Sequence, residues 1–242
     1  MTPPPRRPAA FYDQGGGTGG PRDWITLLHP PYTMWHLSYV VIGAAVVPHL
    51  VLWRLGGTLL AFFLAVGIGA HALDELHGRP LGTGISRRLL ITAAVVSIGA
   101  AMAGGLAYGG LRLLPFILSG GIFVIGYNLE LFGGVFHTDV GFATTWGAFP
   151  VMVGAYAQHW TLPPAAWVAA LAALLLSLGQ RALSTPARTL RRRVALASVQ
   201  ITWRDGSQRE FGRADLLAPL EQALRALAWA VGALAVALVL AR

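Results

Sequence analysis

The chain has 242 residues, of which 55% are hydrophobic and 12% charged, with a mean hydropathy of +0.59. Soluble domains carry about 25% charged residues, so an ordinary soluble domain is excluded. Cysteine is absent, which excludes disulfides, thiolate metal sites and cysteine nucleophiles. All 18 cations are arginine, and a net charge of +8 in so apolar a chain reads as a membrane-orientation signal rather than a nucleic-acid footprint.

In chain order, residues 1–26 are rich in Pro and Gly and predict a disordered cytoplasmic tail. A helix crosses the ~30 Å hydrocarbon layer with about 20 mainly apolar residues. Segments 34–53, 58–76, 89–108, 113–133, 141–158, 165–182 and 222–241 fit that requirement. They predict an all-α integral membrane protein of about seven transmembrane helices. Residues 27–182 form a six-helix core, 183–220 an Arg-rich cytoplasmic segment, and 221–242 the last transmembrane helix.

Orientation follows from the arginines. With the N-terminus in the cytoplasm, fifteen lie inside, and only Arg54, Arg112 and Arg242 lie outside. That bias predicts a prokaryotic cytoplasmic-membrane protein with its N-terminus inside and its C-terminus outside. Between the last two spans, Val199, Ile201 and Trp203 alternate, Asp205-Gly206 signals a turn, and Arg209-Glu210-Phe211 returns as a second strand. This predicts a small β-hairpin on the membrane surface, its arginines near anionic headgroups; the alternative is a solvated basic loop that only fixes topology. Asp215 reads as a cap for the last helix.

Ionisable groups at membrane depth are costly and mark functional sites. His71, Asp74, Glu75 and His77 close the second span; Asn128, Glu130, His137 and Asp139 lie between the fourth and fifth. The predicted topology puts both clusters on the cytoplasmic side. His71 lies one helical turn before Asp74 and Glu75, so the three can share a face, but Asp74 and Glu75 point about 100° apart, so only one of them is expected to look straight into a pocket. Imidazole with carboxylate suits Zn, Fe or Mn, and carboxylates alone suit Mg. Structural alternatives exist: Asp74 pairing with Arg79 or Arg87, Asp139 capping the fifth span with Thr138, and His36 packing beside Trp35 and Tyr39. His159 and Trp160 fit an outer interface belt. Gly104-Gly105 and Gly109-Gly110 offer small-residue faces for close helix contact and set no oligomeric state.

Three segments resemble the UbiA superfamily of intramembrane prenyltransferases. LLHPPYTMWHLSYVVIGAAVV resembles its first helix, AHALDELHGRPLGTGISRRLL its first aspartate-rich motif, and GYNLELFGGVFHTDVGFATTWGAFPVMVGAYA the stretch joining its fourth and fifth helices. The resemblance covers residues 27 to about 182, and Gly78-Arg79-Pro80-Leu81 with Gly84, Ile85 and Ser86 is its most specific part. Of the motif's aspartates only Asp74 is kept, and GQRALSTPARTLRRR has no acid where a second acidic motif belongs, although Arg188 and the triplet Arg191-Arg192-Arg193 offer to bind a diphosphate directly.

The resemblance implies a UbiA-like helical bundle and a divergent prenyltransferase acting on an isoprenoid or lipid diphosphate. Asp74, Glu75 and Asp139 would be catalytic, and Arg79, Arg88, Asn128 and His36 would bind substrate. His71, Asp74, Glu75, Glu130, His137 and Asp139 would hold a divalent metal, Mg²⁺ first, Fe or Zn otherwise. Two other classes stay open: a His/carboxylate metal enzyme (oxidoreductase or hydrolase) on a lipid or quinone, and a non-catalytic lipid-binding scaffold.

Overall fold

The computed structural model describes residues 8–242; Arg6 and Arg7, counted in the orientation argument, lie outside them. Helices α1 (Pro21–Leu27) and α2 (Pro30–Ala45) begin on prolines, whose fixed φ and missing N–H suit a first helical turn. Helix α3 (Leu52–Phe62) runs on through a π-helical stretch, Phe63–Ala70, into α4 (His71–Leu76). Helix α5 (Arg87–Gly109) is capped by the Ser86 hydroxyl, which accepts from the Leu89 N–H at 3.3 Å. Then come α6 (Leu114–Asn128), α7 (Asp139–Phe142), a second π-helical stretch (Ala143–Ala148), α8 (Phe149–His159) and α9 (Pro164–Arg192). The hairpin of β1 (Ser198–Thr202) and β2 (Gln208–Gly212) leads into α10 (Arg213–Leu240).

Among the described residues, four helical stretches are long and apolar enough to cross a membrane: Leu52–Leu76, Arg87–Arg112, Pro164–Arg192 and Arg213–Leu240. The first and fourth predicted spans overlap shorter helices, and the fifth falls within the continuous helical run from Asp139 to His159, which is not among those four. The first stops at Ala45, just before Val46-Val47-Pro48, because a residue preceding proline is pushed out of the α region. The fourth stops at Asn128, ahead of Gly133 and Gly134, whose φ values are +69° and +74°.

The largest core cluster joins α2 to α8, α9 and α10 through Trp35, Tyr39, Val151, Ala173, Ala228 and Val231. Backbones touch here. A Cβ on Gly43 would stand 2.0 Å from the Val151 carbonyl oxygen, and one on Gly154 2.2 Å from that of Val40. The close helix contact that small residues permit is thus made by α2 and α8. Gly104 and Gly105 of α5 instead line an apolar cavity.

Because successive helices reverse direction, residues 46–51, 110–113 and 160–163 gather at one end of the bundle. There Trp160 and Tyr108 lie 5.4 Å apart. The guanidinium groups of Arg54 and Arg112 sit 5.5 Å and 5.7 Å from the Trp160 ring. The longer connections, and the polar clusters, occupy the other end.

Residues 8–26 depart from the disordered tail expected of them. Their anchor is Asp23, only 1% exposed, whose carboxylate accepts from the N–H groups of Gly17 (2.8 Å), Gly19 (2.6 Å) and Gly84 (3.2 Å). The strands of chain pass so closely that a Cβ on Gly84 would lie 2.4 Å from the Gly17 carbonyl oxygen. A buried acid that satisfies several backbone donors offsets the ordering entropy of a Gly-rich segment.

Candidate functional site

At the end of the bundle where α4, α6 and α9 terminate, a cavity of about 510 Å³ brings together residues from both polar clusters. Asp74, His71 and His77 come from α4 and its end; Asn128, Glu130 and His137 come from the α6–α7 connection. His36 of α2 lines it too. The convergence of the two clusters, expected from topology alone, is present.

The histidines are oriented by backbone carbonyls. His36 Nδ1 is 2.9 Å from the Trp146 oxygen, His71 Nδ1 3.1 Å from Gly67 and His137 Nδ1 3.4 Å from Tyr127. A carbonyl only accepts, so each Nδ1 carries a hydrogen. The Glu130 carboxylate stands 3.8 Å from His137 Nδ1.

Four of the expected site residues stand outside the cavity lining, three of them bonded elsewhere. Glu75 is fully buried away from the cavity. Its carboxylate accepts from the amides of Leu81 (2.9 Å) and Thr83 (2.7 Å) and from the Thr83 hydroxyl (2.9 Å), so it holds the turn that follows α4. Arg79 donates to the carbonyl oxygens of Ile85 (2.7 Å) and Thr83 (3.3 Å) in the same turn. Arg88 is an exposed residue on the first turn of α5 and is not among the cavity's lining. Asp139 takes the Nε of Arg181 at 2.9 Å, while Thr138 caps α7 by accepting from the Gly141 N–H at 3.0 Å.

In their place stand the arginines at the end of α9 that the sequence offers for direct diphosphate binding. Arg188, Arg191, Arg192 and Arg193 line the cavity, and Arg181 lines it from about two turns earlier on the same helix. Arg192 and then Arg188 are the charges that Asp74 feels most strongly. Arg191 grips Glu221 of α10 through Nε to Oε1 and through Nη2 to Oε2, the latter at 2.6 Å. The signal for this wall was in the sequence as a basic run at a helix end, but such runs more often only fix topology.

His29 is the other addition. It precedes α2 in a left-handed conformation, φ +46°, and its ring stacks on His71 at 4.1 Å and 12°. Burial, then the His71 ring and the Arg192 and Arg188 charges, hold its imidazole well below the ordinary range. Residues Ala9 to Tyr12 form one wall of the cavity. Ala9 accepts from Arg192 Nε at 3.1 Å, and Tyr12 lies 5.3 Å from the His29 ring. Burial and then Tyr32 push the Tyr12 phenol well above its usual range.

Two buried polar atoms on this lining, His29 Nε2 and Gln180 Oε1, have no hydrogen-bond partner. Unsatisfied buried acceptors are expensive, so the cavity offers hydrogen-bonding capacity that a ligand or water would use.

A second cavity, about 280 Å³ and almost wholly apolar, lies among α3, α5, α6 and α8. Val66 and Trp146 line both cavities. Each sits in one of the two π-helical stretches, the local widenings of a helix that often accompany functional sites.

A divalent metal, as the resemblance implies it, needs several of these donors around one point. Glu75 is committed to its turn and Asp139 to Arg181. Among the described residues, no three His, Asp or Glu side chains are placed to share an ion. The arrangement is instead three carboxylates (Asp74, Glu130 and Glu221) and several imidazoles beside a row of guanidinium groups. That chemistry binds an anion directly through charge-assisted, often bidentate, hydrogen bonds. Comparison with known protein families, with characterised proteins and with solved structures finds no match for this chain.

Proposed function

We propose that the chain is a divergent UbiA-like membrane prenyltransferase that takes up an isoprenoid or other lipid diphosphate, headgroup in the polar cavity and tail in the apolar one. The observation that carries this reading is that the two cavities lie side by side, with Val66 and Trp146 lining both. An arginine-rimmed chamber adjoining a greasy one suits an amphiphile with a strongly anionic head.

In this reading Arg188, Arg192 and Arg193 replace an ion cradle. They hold the diphosphate and take up its growing charge as the allylic carbon–oxygen bond breaks, the electron pair leaving with the diphosphate. The acceptor bonds to that carbon and gives up a proton, which Asp74 receives. His71 and His137 present Nε2 lone pairs to the acceptor, and Asn128 and His36 line the chamber around it. The seven-span arrangement with the N-terminus and the cavity on the cytoplasmic side belongs to the same proposal, supported by the arginine bias.

The test is equilibrium binding of geranylgeranyl diphosphate to the detergent-purified full chain, with geranylgeraniol as control, in EDTA and in Mg²⁺. Binding of the diphosphate in EDTA, weakened about 10- to 100-fold by Arg188→Gln with Arg192→Gln, is expected from the loss of two charge-assisted contacts. Equal binding of the alcohol, or indifference to both substitutions, would overturn the reading. Binding only in Mg²⁺ would return an ion to the site. Binding without transfer to any phenolic or lipid-alcohol acceptor would leave a lipid-diphosphate carrier instead of an enzyme.

A further inference from the structure

The hairpin between α9 and α10 has two chemically distinct faces. Its strands pair antiparallel with Val199 opposite Phe211 and Ile201 opposite Arg209. Side chains alternate across a sheet, so Val199, Ile201, Trp203, Arg209 and Phe211 share one face, and Ser198, Gln200, Thr202, Gln208 and Glu210 the other. The polar face is internally satisfied: the Ser198 hydroxyl donates to Glu210 at 2.6 Å, and the Gln200 amide to Gln208 at 2.8 Å. On the apolar face Val199 is 41%, Ile201 38% and Trp203 49% exposed. Arg209 lies over the Phe211 ring at 4.7 Å.

The turn is built to hold this register. Gly206 N–H donates to the Trp203 carbonyl at 2.9 Å, Trp203 N–H to the Ser207 carbonyl at 2.8 Å, and Gly206 has φ +84°. That is a type I turn closed by a bulge at glycine, a favoured three-residue connection. Asp205 secures it by accepting from the Ser207 amide and hydroxyl.

Two of the four helices fit to cross a membrane flank this element, one ending at Arg192 and the other beginning at Arg213. The hairpin therefore stands within a few residues of the bilayer surface. Residues 191–215 carry six arginines; Arg191 is held by Glu221, and Arg192 and Arg193 line the cavity, which leaves Arg204, Arg209 and Arg213 beside the hairpin. The three acids of this stretch each serve a local bond: Asp205 at the turn, Glu210 on Ser198, and Asp215 accepting from the Gly212 N–H. We propose that the hairpin is an amphipathic foot that lays its Val199–Ile201–Trp203–Phe211 face into the headgroup boundary of an anionic bilayer, with Arg204, Arg209 and Arg213 on lipid phosphates. Tryptophan and arginine are the side chains suited to that boundary. Its occupant is the lipid surface beside α9 and α10, independently of what the cavity binds.

Because the chain lacks cysteine, single labels report one place each. Val199→Cys, Ile201→Cys, Gln200→Cys and Thr202→Cys would be labelled with bimane in the full chain reconstituted into phosphatidylglycerol/phosphatidylcholine vesicles. Positions 199 and 201 should be quenched several-fold more by doxyl-labelled lipid than 200 and 202, and less by aqueous iodide. The contrast should shrink in phosphatidylcholine alone. Four labels equally open to iodide would show a solvated loop. Shielding of 199 and 201 from both quenchers would show protein covering the face. A contrast unchanged without phosphatidylglycerol would remove the role of the anionic lipid. Each of these outcomes overturns the proposal as stated.

Discussion

Glu75 and Thr83 are joined twice, the carboxylate accepting from both the amide (2.7 Å) and the hydroxyl (2.9 Å) of the threonine, with no solvent exposure of the acid. Its neighbour Asp74 looks the other way, into the cavity. Adjacent acids on one short helix thus divide labour: one shapes the backbone and one faces the ligand space.

Glu75→Ala should therefore lower stability by about 2–5 kcal/mol, since it strands two buried amides and removes charge-assisted bonds. Asp74→Asn, nearly the same shape, should leave the unfolding temperature within a few degrees while abolishing turnover. Thermal unfolding of both variants in one detergent checks the contrast. Equal destabilisation by the two would remove the distinction.

Protonation should matter through His29. Its imidazole titrates lower in the folded chain than in the unfolded one, chiefly because of burial, then His71, Arg192 and Arg188. A depressed value means that the neutral ring stabilises the fold fully above the ordinary histidine range near 6.5, and that this stability drains away as pH falls below it. Unfolding temperature measured from pH 8 to pH 5 should drop on the acid side. His29→Asn, which tolerates the left-handed backbone, should flatten that slope.

Arg191 ties α9 to α10 with two bonds to Glu221. Lysine keeps the charge and loses the fork, so Arg191→Lys should cost on the order of 1–2 kcal/mol. The loss should be matched by Glu221→Gln and not enlarged in the double variant. A double-mutant cycle on unfolding free energy measures the coupling.

The contact of α2 with α8 leaves no room for a methyl group. Gly43→Ala should destabilise by about 1–3 kcal/mol through overpacking. Gly104→Ala, whose Cβ would meet nothing within 4 Å, should be tolerated. Substitution of both glycines, read by detergent unfolding, separates the tight seam from the open wall.

Much of this architecture was legible in the chain. Apolar runs placed the helices, and the grouping of His71 and Asp74 with Asn128 and His137 at one end followed from counting spans. Alternation and Asp205-Gly206 located the hairpin. What escaped depends on contacts between distant segments. The periodicity of α4 puts Asp74 and Glu75 near one another, but only the turn at Leu81–Thr83 decides which of them it consumes. The Gly-rich stretch before Pro21 has the composition of a tail; it becomes a wall because Asp23 finds Gly84, 61 positions away. The π-helical stretches leave no compositional mark, since their widened geometry answers to packing around Val66 and Trp146.

The wall formed by Ala9 to Tyr12 leans on residues made long after it: Arg192 holds Ala9, and the Arg225 guanidinium lies 4.9 Å from the Phe11 ring. During translation those early residues have nothing to rest against until α9 and α10 emerge. The chamber is then closed last, by residues made before the rest of it, and a chain cut short of α9 has no finished pocket.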